Sequence, residues 1–138
     1  MATEILVNDG GAPARILPFL AGEDISAGEA LTASATADMT AVLATQANIN
    51  IIGFALTDAA SGDMCSVITG KGVILNVQCL PTTGGYPQMI GAAASGQLAK
   101  QTAAEAAKGN GPVAVPVKVT NEAGSGLAVA GLWRCLII

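Results

Sequence analysis

The chain contains no histidine, and only 3 % of its 138 residues are aromatic and 12 % charged. Without imidazole there is no Ser-His or Cys-His nucleophile pair and no histidine metal ligand, which excludes the commonest hydrolase chemistry. An ordinary soluble domain carries about a quarter charged residues, so much of this surface must be neutral Ala, Gly, Ser and Thr. Flat neutral surfaces of that kind are readily covered by a neighbouring subunit, and oligomerisation is expected. The six basic residues, Arg15, Lys71, Lys100, Lys108, Lys118 and Arg134, are spread singly against ten acids for a net charge of −4. A phosphate backbone needs a basic patch, so nucleic acid is not an expected partner. No window reaches about eighteen uninterrupted apolar residues, and Met1-Ala-Thr-Glu-Ile-Leu-Val-Asn-Asp lacks the basic start and apolar centre of a signal peptide. Neither a membrane partner nor export is expected; the reading is a soluble protein made in the cytoplasm. Cys65, Cys79 and Cys135 are odd in number, lack CxxC spacing and sit among apolar residues, the pattern of buried reduced thiols.

What the chain does have is a series of short apolar runs cut by small turn residues. Asp24-Ile-Ser-Ala-Gly-Glu-Ala-Leu-Thr and Gly53-Phe-Ala-Leu-Thr-Asp-Ala-Ala-Ser-Gly-Asp each set a glycine turn beside β-prone residues. Strands are predicted over residues 18–20, 30–34, 40–44, 51–56, 65–69 and 73–78, with further ones at 98–100, 113–119 and 127–138. In Val73-Ile-Leu-Asn-Val-Gln the alternation puts Val73, Leu75 and Val77 on one face, and Gly70-Lys71-Gly72 predicts a tight hairpin between the strands on either side. The fold class is therefore all-β with at most one short helix, which the capping box Thr102-Ala-Ala-Glu105 would open. A chain of this length buries about two thirds of its extended surface in one core and needs no metal or disulfide to fold.

Residues 1–18 read as an extended N-terminal arm: Ile5-Leu-Val is an isolated apolar run, followed by Asn8-Asp-Gly-Gly-Ala-Pro, which forbids regular structure. Residues 19–138 then form a single β-rich domain. Within it, residues 80–96 hold two prolines, several glycines and Tyr86 and Met89, and are expected to be a long loop with a job. Glu23 with Asp24, and Asp58 with Asp63, are the acid pairs available for acid-base work. Each flanks a glycine turn, where carboxylates normally cap backbone amides, and no run of alternating oxygen ligands resembles a calcium loop. Trp133 alternates with Cys135 and Ile137 on one side of the last strand and is a natural core or interface anchor.

The two turn motifs, with Gly70-Lys-Gly-Val after them, give the chain its resemblance to the capsid decoration (cement) proteins of tailed bacteriophages. Gly53 to Val67 follows the rhythm G-x-A-x-T-x-A-x-x-G-x-x-x-x-V, and the likeness spans residues 15–80 and 112–138. The resemblance implies a compact β-clip or β-tulip domain that acts as a homotrimer on the outer surface of the virion. It also implies a major capsid protein as partner, no cofactor and no enzyme activity: the protein would clamp neighbouring capsid subunits against internal DNA pressure. The expected neighbour contacts are Glu4, Ile5, Leu6 and Val7 of the arm, or Tyr86 and Met89 of the loop, with Trp133 and Leu136 as trimer or core anchors. The Asp24 motif also resembles β-clip (SAF-type) domains, and the alternative is a carbohydrate- or peptide-binding module with the Tyr86 loop as its site.

Overall fold

The computed structural model describes residues 5–8, 15–45, 51–69, 71–79, 90–92, 96–100, 114–116 and 131–137. Every regular element among them is a strand: β1 (Leu6–Asn8), β2 (Arg15–Ala21), β3 (Ala30–Ala33), β4 (Thr40–Leu43), β5 (Ile51–Ala55), β6 (Met64–Thr69), β7 (Ile74–Cys79), β8 (Ile90–Ala92), β9 (Leu98–Lys100), β10 (Ala114–Pro116) and β11 (Gly131–Ile137). The protein is all-β. The capping box at Thr102 lies outside the described residues.

The strands form two sheets. One closes as a five-stranded barrel in the order β2-β4-β3-β5-β6, and the other runs β1-β7-β11-β10-β8-β9, with β9 curling back to pair in parallel with β7 at Cys79 and Leu98. Inside the barrel, Ala21, Ile25, Leu31, Ala41, Ala55, Cys65 and Val67 pack together. The larger core lies between the barrel wall and the second sheet. There Phe54 and Ile68 of the barrel meet Val73, Leu75, Val77, Leu98, Trp133 and Cys135.

Val73, Leu75 and Val77 are all buried, as the β7 alternation predicts, while on the other face Asn76 is buried as well. On β11, Trp133, Cys135 and Ile137 are likewise buried while Leu132, Arg134 and Leu136 are half-buried. The hairpin expected at Gly70-Lys71-Gly72 is not there: β6 pairs with β2 and β5 in the barrel, whereas β7 pairs with β1, β11 and β9. Gly72, at φ +80°, instead turns the chain from one sheet to the other, and its amide donates to the Ile137 carbonyl at 2.8 Å. The turn signal is real, but turn residues do not encode which sheet the next strand joins.

Two boundaries also differ. Arg15 to Pro18, assigned to the arm by sequence, are the first residues of β2 and pair with Thr69 to Ser66. Ile90–Ala92, inside the expected 80–96 loop, forms β8 between β9 and β10. A three-residue strand of Ile, Gly and Ala carries too little β-propensity to be read from sequence; its neighbours hold it.

Candidate functional site

The two turn motifs face each other. Ile25 and Ala59 form an isolated antiparallel bridge, with both amides bonded across it at 2.8 and 2.9 Å. On either side the carboxylates are exchanged: Asp24 Oδ1 accepts from the Ser61 amide at 3.0 Å and Asp58 Oδ1 from the Ala27 amide at 2.7 Å. Glu29 Oε2 accepts from the Ser26 amide at 3.2 Å. The clasp is stitched onward to the second sheet, because the Gly28 carbonyl accepts the Gln78 amide at 2.8 Å and the Ala27 carbonyl accepts Gln78 Nε2 at 3.3 Å. Gly28 adopts φ +86°, and a Cβ there would lie 2.6 Å from Leu132 Cδ2 and 3.1 Å from the Asn76 carbonyl oxygen.

Asp24, Asp58, Asp63 and Met64 border a shallow open depression of about 430 Å³ beside the clasp. Two of its three carboxylates, Asp24 and Asp58, accept hydrogen bonds from backbone amides, a structural use of those acids. Among the described residues no group of three or more Cys, Asp and Glu is arranged to hold a metal ion.

Burial raises the Glu29 carboxyl above its ordinary 4.5; the Ser26 amide opposes this, and the Glu23 and Asp58 charges add to it. A raised folded-state pKa means that the folded chain keeps this proton just above pH 4.5 while the unfolded chain has released it. Stability therefore falls as pH rises through that window. Glu29→Gln is expected to flatten this fall, read as urea midpoints from pH ~4 to ~7. A variant whose midpoints fall as steeply as the parent's contradicts the assignment.

All three cysteines are buried free thiols, as expected. The neighbouring Cys79 thiol and burial push Cys135 far above its ordinary range, and burial raises Cys65. Neither Cys65 nor Cys135 is therefore poised as a thiolate nucleophile.

The residues singled out by sequence separate. Ile5 is buried in its own chain, and Leu6 pairs with Leu75, so this part of the arm adds a strand to the edge of β7. Val7 lies within β1, whereas Glu4, Tyr86 and Met89 are outside the described residues. Trp133 is fully buried and belongs to the core between the sheets. Leu136, on the other face of β11, is half-buried, and in register it pairs with Ile74 of β7 and Val115 of β10.

One surface was not singled out from the sequence. Along β2 the residues that alternate with the barrel-facing Phe19 and Ala21 are Ile16, Pro18 and Leu20, all exposed, with Met64 directly opposite Leu20. Beside them the Met39 carbonyl accepts the Leu20 amide at 2.9 Å. The signal is the run Ile16-Leu-Pro-Phe-Leu, apolar at both parities around a proline. A proline marks an edge strand, and apolar residues at both parities mean that one set faces outward.

No family model matches the chain, and no curated protein matches it. Among solved structures, it is similar to the N base of the head fiber gp8.5 of bacteriophage phi29, with a TM-score of 0.67 and 13 % identity over 91 % of this chain and 95 % of that one. The barrel and the sheet packed on it are thus a fold this chain shares with the base of a phage head fiber.

Proposed function

We infer that the chain is a structural protein of a tailed-phage head: a β-tulip-type decoration protein that binds the outside of the mature shell as a homotrimer. It ties neighbouring major capsid subunits together without any catalytic step or cofactor. The observation that carries this reading is the fold shared with the phi29 head fiber base along nearly the whole of both chains. The decoration-like residues from Gly53 to Val67 point the same way, and they fall in the clasp, where the carboxylates serve as caps.

The mechanism is additive binding. A ligand that binds the assembled shell and not its separated subunits stabilises the shell by mass action. A trimer adds avidity, because once one foothold is engaged the other two bind as intramolecular events. With Ile5 and Leu6 packed on their own β7, the shell contact is assigned to Tyr86 and Met89 of the glycine- and proline-rich segment.

Sedimentation with mature heads purified without the protein tests this reading. Saturable co-sedimentation at a fixed ratio to the major capsid protein is expected. Protein that stays in the supernatant at every concentration overturns it.

A further inference from the structure

We propose that residues 15–137 are two copies of one five-stranded ring, β2–β6 and β7–β11, joined in tandem through residues 70–72, and that β1 is a strand added to the second copy from outside the repeat. In chain order, the first strand of each copy pairs in parallel with the third and antiparallel with the fifth. The second strand pairs antiparallel with the third and with the fourth. The fourth pairs antiparallel with the fifth, which closes both rings. The repeat goes beyond head binding and does not depend on it.

The registers agree as well as the order. Ala21 pairs with Ala41 where Cys79 pairs with Leu98, so these positions correspond. Along the same first strands, Phe19 lies opposite Cys65 and Val77 opposite Trp133. From the third strands, Leu43 pairs with Leu31 and Lys100 with Ile90; onward from there, Leu31 pairs with Gly53 and Ile90 with Ala114. The ring then closes without a slip. Phe54 lies opposite Ile68 and Val115 opposite Leu136, and matching Cys65 with Trp133 already matches Ile68 with Leu136. A shift of one residue would reverse inside and outside, and stagger is what fixes the closure of a barrel. The interior residues Ala21, Ala41, Cys65 and Val67 thus correspond to Cys79, Leu98, Trp133 and Cys135, all buried in the second core. Each copy also brings its own ends together: Arg15 lies opposite Thr69, and at the matching place the Ile137 amide donates to the Val73 carbonyl at 3.0 Å. The sequence keeps a trace of the unit. Ile16-Leu17 corresponds to Ile74-Leu75, and between the fourth and fifth strands Leu56-Thr-Asp-Ala-Ala-Ser-Gly is echoed by Val119-Thr-Asn-Glu-Ala-Gly-Ser-Gly, a segment outside the described residues.

The repeat explains β1. In both copies the third strand covers only the end of the first, at Leu20 and Ala21 or at Cys79, and leaves the rest of that edge as a slot. In the second copy β1 fills the slot: Leu6 pairs with Leu75, and the Asn76 amide donates to the Ile5 carbonyl at 2.8 Å. In the first copy Pro18 stands at the position that corresponds to Asn76, with no N–H to offer. One barrel takes an apolar strand from outside itself, and its twin refuses one.

Hydrogen exchange on the full chain tests the proposal. The first ring closes without a sixth strand, so the second must as well. Ile5→Asp is expected to strip protection from residues 5–8 and from the Asn76 amide, while amides paired between β7 and β11 keep theirs. In the parent, β1 is expected to exchange at least ~10-fold faster than β11, because a strand outside the ring opens on its own. Protection lost through β11 in the variant, or equal rates in the parent, makes β1 part of the second ring and overturns the repeat. A solution structure by NMR decides the correspondence separately. Residues 15–69 and 73–137 are expected to superpose strand on strand in the registers given, and a different register in β8, β9 or β10 overturns the proposal. Co-sedimentation with heads decides head binding whichever way these fall.

Discussion

Trp133→Ala is expected to cost about 3 to 5 kcal/mol of stability, the range for emptying a large aromatic site in a packed core. The ring is fully buried on β11, opposite Val77 on β7, in the layer where the second sheet packs on the barrel. The neighbours are strand residues fixed by their ladders, so the space closes poorly. Urea unfolding of the variant at fixed protein concentration measures the loss. A midpoint shift equivalent to under ~1 kcal/mol would show that the ring is not the anchor of the interlayer core.

Gly28→Ala is expected to be the next most damaging single change, although it adds only a methyl group. An L residue at φ +86° costs roughly 1 kcal/mol or more by itself. The new Cβ would also sit 2.6 Å from Leu132 Cδ2 and 3.1 Å from the carbonyl oxygen of Asn76, and that oxygen belongs to a central strand. Relief requires the clasp to move away from β7, lengthening the Gln78 to Gly28 hydrogen bond of 2.8 Å. A loss of about 2 to 4 kcal/mol follows from strain and overpacking together. Gly62→Ala is the control: it also has a positive φ, of +90°, but a Cβ there meets nothing within 4 Å. Its cost should be the conformational part alone, and equal losses at the two glycines would contradict the account of Gly28 as the stitch between the sheets.

Much of the barrel is legible in the chain because its strands are short, β-branched or alternating, and punctuated by glycine turns. The predicted strands 30–34, 40–44, 51–56 and 65–69 agree with β3 to β6 to within a residue or so at each end. Alternation also identifies the buried faces of β7 and β11. What the chain does not display is partnership. Asp24 and Asp58 each read as a local turn residue, yet each caps an amide in the other's turn, more than thirty positions away. The Gly72 turn reads as a hairpin because hairpins and sheet-to-sheet crossings use the same residues. Ile5 and Leu6 read as an arm because nothing local shows that β7 has a free edge to receive them. The β2 stripe was hidden differently: in Ile16-Leu-Pro-Phe-Leu the inward and outward sets are both apolar, so alternation carries no contrast.

The clasp also explains why carboxylates in a chain with so few charges sit where they do. An exposed amide capped by a carboxylate is a charge-assisted bond. Two of them bracket the Ile25 and Ala59 bridge and hold the two long turns of the barrel as one unit.

The temperature at which mature heads release their DNA tests the central claim most directly. Heads lacking the protein are measured alone and with a saturating amount of it, using a dye that reports exposed DNA. A ligand that binds only the intact shell must raise the temperature at which the shell fails, and the rise must grow with free protein concentration. Glu29→Gln, which leaves the rest of the clasp in place, should preserve that gain, because the carboxylates belong to the turns. Heads that release DNA at the same temperature with and without saturating protein would contradict the assignment.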